Sequence, residues 1–300
     1  MAERPRERQF LDPAVVARLG TLELKARTVV EGLLTGMHRS PFKGFSVEFA
    51  EYRQYMPGDD LSTIDWKVYA RTDRQYVKKF EEETNLDCHV MLDVSASMGY
   101  GSHGLTKYVY GQCLAASLAY LMNRQRDAAG LSAFDDRILV RLPPSARGGH
   151  LHSLLVTLER LTLGQQTNVS KPLHQLAETI RKRGMVVLIS DLLDEPERVV
   201  RGLKHFHYRG TEAIVFHLLD PAEVAFPFER ATRFEDLETG QEVMAVPALV
   251  REHYKKALGD LVERYKRELG AAGIDYHLWT TDRPLELALM AYLSTRGRAL

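Results

Sequence analysis

The sequence has little that could staple it or anchor it. It carries two cysteines and no C-x-x-C pair. That count argues against a disulfide framework and against a cysteine-based zinc site, so Cys88 and Cys113 read as small buried residues, one in a strand and one in a helix. No apolar run approaches the roughly 20 residues that a membrane-spanning helix needs. The charged first eight residues have no apolar segment behind them of the kind that makes a signal peptide. These absences set the expectation of a cytoplasmic protein with no membrane span. Excess charge is missing as well. Lys plus Arg number 40 and Asp plus Glu number 40, which leaves no global electrostatic case for nucleic acid or an anionic membrane surface. There is no G-x-S-x-G elbow, no G-x-x-x-x-G-K-[ST] phosphate loop, no internal repeat and no low-complexity segment.

What is present is an ordinary globular composition, with 45% hydrophobic and 27% charged residues, enough to bury a normal core. The length suits one large domain or one domain with an appendage. Apolar spacing predicts an N-terminal helical segment within residues 1–35, covering Pro13 to Leu34. From 36 to 85 helical periodicity is lost. Phe45–Phe49 alternates as a strand does, with Tyr76–Phe80 as its expected partner, and Pro57-Gly58-Asp59-Asp60 is a turn. Asp59, Asp60 and Asp65 sit among Arg53, Lys67, Arg71 and Arg74. A salt-bridged surface explains these charges most simply; the functional alternative is a polar docking face that includes Asp59, Asp60, Asp65, Trp66 and Arg71.

From 86 to 300, strands and helices alternate. This predicts an α/β fold, a doubly wound and mainly parallel sheet covered on both faces, with a hairpin insertion near 230–247. Ser170 is the expected N-cap of one helix, and Gly184 the residue that ends it. The paired histidines His150/His152 and His205/His207 lie in or beside helices. Positions i and i+2 do not share a helical face there, so they read as ordinary residues rather than metal ligands.

One stretch departs from this pattern. The buried run Cys88 to Leu92 ends abruptly in Asp93-Val94-Ser95-Ala96-Ser97, a carboxylate and two hydroxyls at alternate positions. A tight loop there can aim three oxygens at one point, and oxygen donors of mixed charge suit a hard cation such as Mg²⁺. The alternative is a polar loop that caps the next helix. Further on, Thr167 lies in a polar loop before a helix, and Asp191 closes another buried strand.

The order Asp-x-Ser-x-Ser, then Thr, then Asp resembles the metal-ion-dependent adhesion site of von Willebrand factor A domains. The resemblance implies a metal set of Asp93, Ser95, Ser97, Thr167 and Asp191. Ser95, Ser97 and Thr167 would bind directly, and Asp93 and Asp191 largely through water. Mg²⁺ is the implied ion, with Mn²⁺ or Ca²⁺ as alternatives, and one position is left open for an acidic side chain of another protein. Glu48-Phe49, Glu51-Tyr52-Arg53, Pro57-Gly58-Asp59-Asp60, Ile64-Asp65-Trp66, Ala70-Arg71 and Asp220-Pro221-Ala222-Glu223 resemble the signature of a bacterial family, domain of unknown function 58. Its members contain a von Willebrand factor A-like domain and are associated with MoxR-type AAA+ ATPases. The resemblance therefore implies an adaptor or co-chaperone that binds such an ATPase or its client through an acidic residue, and that is not an enzyme. A Mg²⁺-dependent phosphoesterase on the same sheet is the alternative. It is disfavoured because Ser95 stands where a second Asp would be needed two residues after a carboxylate nucleophile.

Overall fold

The computed structural model describes residues 10–38, 52–54, 76–78, 86–164, 168–180 and 182–299. The chain divides into two compact units: Met37–Asn85, and Met1–Gly36 together with Leu86–Leu300. In the smaller unit, β1 (Tyr52–Gln54) and β2 (Tyr76–Lys78) pair antiparallel, with Arg53 opposite Val77. The neighbour of the strand expected at 76–80 is thus Tyr52–Gln54. The expected strand at 45–49 lies outside the described residues, as do Asp59, Asp60, Asp65, Trp66 and Arg71.

The larger unit is built on a six-stranded sheet in the order β10-β7-β6-β3-β4-β5. The strands are β3 (Asp87–Asp93), β4 (Ala128–Phe134), β5 (Ile138–Ser145), β6 (Gly184–Ser190), β7 (Glu212–Leu219) and β10 (Asp275–Thr280). All neighbours run parallel except β5, which returns antiparallel beside β4. The connection at residues 135–137 is too short for a crossover, so it can only make a hairpin. β4 and β6 are buried along their whole length, whereas β5 is half-buried and exposed in alternation. This is the pattern expected for interior strands covered on both faces and for an edge strand with one face in solvent.

Helices cover both faces. On one face lie α5 (Ser170–Thr179), α6 (Pro196–Tyr208) and α8 (Pro247–Gly270). They bury Leu173, Leu176, Val199, Leu203, Phe206, Tyr265 and Leu269 against Met91, Val186, Leu188 and Val215. α3 (Lys107–Arg124) packs against β3 and β4, and also against α4 (His150–Arg160) and α9 (Leu285–Ala299). The remaining elements are the short α7 (Pro221–Ala225) and a separate hairpin of β8 (Thr232–Glu235) and β9 (Glu242–Ala245). None of the described helices is long and apolar enough to cross a membrane.

Three local expectations need correction. The single helix expected over 13–34 is two, α1 (Pro13–Ala17) and α2 (Leu22–His38). Gly20 weakens helix at the break, and the Thr21 hydroxyl accepts a bond from Leu24 N at 3.3 Å, so a new helix starts. As far as Gly36 both helices belong to the larger unit, where Leu11 N donates to Glu286 Oε1 (3.1 Å) and Leu22 N to Glu159 Oε1 (2.9 Å). Ser170 is the first residue of α5 rather than its cap. Asn168 Oδ1 takes the Lys171 N–H, and Asp194 Oδ2 takes those of Val169 and Ser170. Gly184 does not end α5, which stops at Thr179. It opens β6, where a Cβ would lie 2.3 Å from the Asp87 carbonyl oxygen. Close backbone approach, not helix termination, is what this position requires.

Two sheet histidines, His89 and His217, are buried, and burial lowers the pKa of each to about 4. Below pH 6.5 the unfolded chain takes up protons that the folded chain refuses until about pH 4. Stability carried by these residues is therefore present above pH 6.5 and lost as pH falls towards 4. Between pH 7 and pH 5, wild type is expected to lose about 2 kcal/mol more than His89→Gln, measured by urea unfolding. Equal losses would contradict the buried neutral imidazole.

Candidate metal centre

After β3 the chain goes to one side, into β4 and β5, then crosses over β3 to build β6, β7 and β10 on the other. The loops leaving the carboxyl ends of β3 and β6 therefore diverge and leave a crevice between them. Open α/β sheets bind ligands at such switch points. β3 ends in Asp93, and β6 ends in Ser190 followed by Asp191. The crevice is thus lined by the residues that the apolar runs end on.

Asp93, Ser95, Ser97 and Asp191 are all buried there. Asp93 Oδ1 accepts the Ser95 N–H at 2.9 Å, a tight turn that swings Ser95 back towards the strand end. Asp93 Oδ2 accepts the Ser190 hydroxyl at 2.6 Å, which ties β3 to β6. The Ser95 and Ser97 hydroxyl oxygens are 3.1 Å apart. Ser97 lies in a 3₁₀ turn, Ala96–Gly99. Directly after Asp191, Leu192 takes a left-handed conformation (φ 53°), and its N–H bonds to Ser190 Oγ at 2.9 Å. Such a conformation is unfavourable for a branched side chain and clusters at functional turns. Here it bends the chain at once after the carboxylate.

The electrostatics are unbalanced. Burial, together with the nearby Asp191 charge, raises the Asp93 pKa, against the opposing bonds from Ser190 and Ser95. Lys107, the first residue of α3, reaches in from the other side. Its Nζ donates to Asp191 Oδ2 at 2.8 Å and to Glu223 Oε1 at 2.9 Å, and its side chain is 1% exposed. Burial disfavours its ammonium, but Asp191 and Glu223 outweigh that and the pKa is raised. Glu223 serves two partners. Its Oε2 accepts the Asp220 N–H at 2.6 Å, closing the capping box of α7, while Oε1 holds Lys107. Three carboxylates, Asp93, Asp191 and Glu223, thus stand with one ammonium, which contacts only Asp191 and Glu223. Asp191 Oδ1 is buried and has no hydrogen-bond partner among the described residues.

These features fit a divalent cation. All donors are oxygen, an orphaned carboxylate oxygen is available, and two negative charges of the three lack a counter-charge. Among the described residues, no group of three or more His, Cys, Asp or Glu side chains is placed to hold a metal. Any metal here must therefore use the serine hydroxyls as well as the aspartates. Thr167, the fifth member of the expected set, lies outside the described residues.

The mainly parallel sheet with a polar crevice at its switch point is a von Willebrand factor A-like fold. The sequence profile of the family described as protein of unknown function DUF58 matches residues 51–263. The chain belongs to this family. Similar proteins include the uncharacterized protein Rv1480 of Mycobacterium tuberculosis and the uncharacterized protein Mb1516 of Mycobacterium bovis. Each is 28% identical over 292 residues, covering 96% of this chain and 91% of the relative. Among solved structures, the conserved hypothetical protein BatB from Bacteroides thetaiotaomicron superposes with a TM-score of 0.51 at 16% identity, covering 71% of this chain and 99% of BatB. The SpRpn10 VWA domain aligns more loosely, with a TM-score of 0.40 at 12% identity over 67% of this chain and 92% of that domain.

Within this DUF58 chain, sequence reasoning found the two aspartates and both serines but missed Lys107. A signal existed. Lys107, Tyr110, Gly111, Leu114, Leu118 and Leu121 are all buried at helical spacing, so the apolar stripe of α3 begins with a lysine. A charge on a core stripe asks for a buried partner.

Proposed function

We propose that this protein is a metal-dependent protein-interaction module. Asp93, Ser95, Ser97 and Asp191, completed by Thr167, would hold a divalent cation, with Mg²⁺ the expected ion. The bound ion would supply a positive centre that attracts an acidic side chain of a partner protein. The residues of the chain prepare that centre. Ser190 and the Ser95 N–H fix Asp93, Lys107 fixes one oxygen of Asp191, and the 3₁₀ turn presents Ser97 at the mouth of the crevice. The observation that carries the reading is the buried, unpartnered Asp191 Oδ1 beside a second buried carboxylate. The family resemblance adds the partner class: a MoxR-type AAA+ ATPase or its client, with this chain acting as an adaptor.

Immobilised full-length chain tests this against lysate of the source cells, in Mg²⁺ and in EDTA, alongside Asp93→Ala. The expected result is a protein retained only by wild type with Mg²⁺, and its identity tests the ATPase association. Retention that is indifferent to EDTA and to the substitution would overturn metal-dependent docking.

A further inference from the structure

Beside the metal loop the surface opens into a groove of about 620 Å³. Its lining includes Ser97 and Lys107 together with Phe226, Phe228, Phe234 and Tyr254. The four rings form one cluster. Phe226 stacks on Phe234 (5.7 Å between centroids) and lies 4.7 Å from Tyr254, while Phe228 meets Phe234 edge-on at 5.2 Å. Three parts of the chain contribute them: the segment just after α7, the β8–β9 hairpin and the first half of α8. Phe226 holds its place with φ 49°, a conformation unfavourable for an aromatic residue. Two exposed leucines line the groove, Leu193 and Leu237 (51% and 47% exposed), and Val243, opposite Phe234 in the hairpin, is 61% exposed. Exposed apolar surface beside a groove marks interaction sites. The rim is acidic: Glu235 is exposed there, Arg233 is paired with Glu242 at 3.3 Å, and Arg251 donates to the Phe228 carbonyl at 2.6 Å.

We infer that this groove is the specificity pocket of the docking site. Its occupant is an extended segment of the partner protein. That segment carries an acidic side chain for the metal loop, a large apolar or aromatic side chain for the Phe226–Phe228–Phe234–Tyr254 cluster, and a basic side chain for the Glu235 rim. The inference rests on the metal-dependent reading above. Two observations select a polypeptide segment as occupant. The groove is continuous with the crevice holding Ser97 and Lys107, so a single chain can span both. It also runs out onto the exposed Leu193 and Leu237, which a small ligand would leave uncovered. Aromatic anchors seated beside a polar contact are the common form of an interface hot spot.

Selection of a phage-displayed random 12-residue peptide library on the full chain, in Mg²⁺ and in EDTA, tests this. Wild type with Mg²⁺ is expected to enrich peptides that pair an acidic residue with an aromatic or large apolar one at a fixed spacing, with a basic residue beyond. Phe228→Ala should lose the apolar preference and keep the acidic one. Glu235→Lys, a surface change that leaves the ring cluster intact, should lose the basic preference alone. Mg²⁺-dependent peptides with an acidic residue and no apolar preference would overturn the groove and leave the metal reading standing. Apolar peptides enriched equally in EDTA would overturn the metal reading and with it the joint site. No enrichment above the unselected library would overturn the groove as a peptide site.

Discussion

Replacing Lys107 by methionine is expected to destabilise the protein by about 3–5 kcal/mol in EDTA, the usual cost of removing one partner from a buried ion pair. The ammonium is the only cation seen to contact Asp191 and Glu223 among the described residues, at 2.8 and 2.9 Å. Methionine keeps much of the stem's volume, so the loss reflects charge rather than a cavity. Glu223 would retain its Asp220 contact through Oε2, and Asp191 would have neither oxygen paired. Saturating Mg²⁺ should recover part of the loss, because the ion then meets a more negative site. Chemical denaturation with and without Mg²⁺ measures both effects. A Lys107→Met variant within about 1 kcal/mol of wild type in EDTA would show that the ammonium is not the site's buried counter-charge.

The second large effect concerns Asp93 and has opposite signs in the two conditions. Asp93→Asn keeps the shape of the side chain and can still engage Ser95 N and Ser190 Oγ. It removes one of two buried charges that repel each other. A carboxyl whose folded pKa is raised loses stability as pH rises from its unfolded value through the folded one. At pH 8 in EDTA the asparagine variant is therefore expected to be more stable than wild type, by roughly 1–3 kcal/mol. With Mg²⁺ the order reverses. Wild type gains about 4.1 kcal/mol at a free ion concentration 1,000 times its Kd, and the variant gains none. Denaturation curves at pH 8 check both halves. A variant that is less stable than wild type in EDTA, or that responds equally to Mg²⁺, would contradict the repelling pair.

The sheet was legible because its signal is local. Runs such as Met185 to Ile189 are continuous and rich in β-branched residues, and each ends in a polar residue that marks a strand end. For the same reason Asp93 and Asp191 could be assigned to strand ends without knowing which strands were neighbours. The antiparallel β5 follows from the short connection at residues 135–137. What local patterns could not supply was everything decided by distant segments meeting. Gly184 looked like a helix stop because it followed a helical stretch, but its role is set by the Asp87 carbonyl across the sheet. Ser170 looked like a cap, and Asn168 and Asp194 supply the caps instead, the second from beyond β6. Lys107 and Glu223 are 116 positions apart and meet only through the crossover. The aromatic groove likewise needs α7, the hairpin and α8 brought together, and no one of these shows it alone.

The most direct test of the central claim is a Mn²⁺ titration of the metal-free full chain, followed by the loss of the free-ion electron paramagnetic resonance signal. Mn²⁺ shares the oxygen-ligand preference of Mg²⁺, so Mg²⁺ should displace it. The account predicts saturable binding of one ion per chain, competed by Mg²⁺ and abolished in Asp93→Asn. A wild-type chain that binds no Mn²⁺ saturably, or that binds it as well after Asp93→Asn, would contradict a metal centre at the ends of β3 and β6.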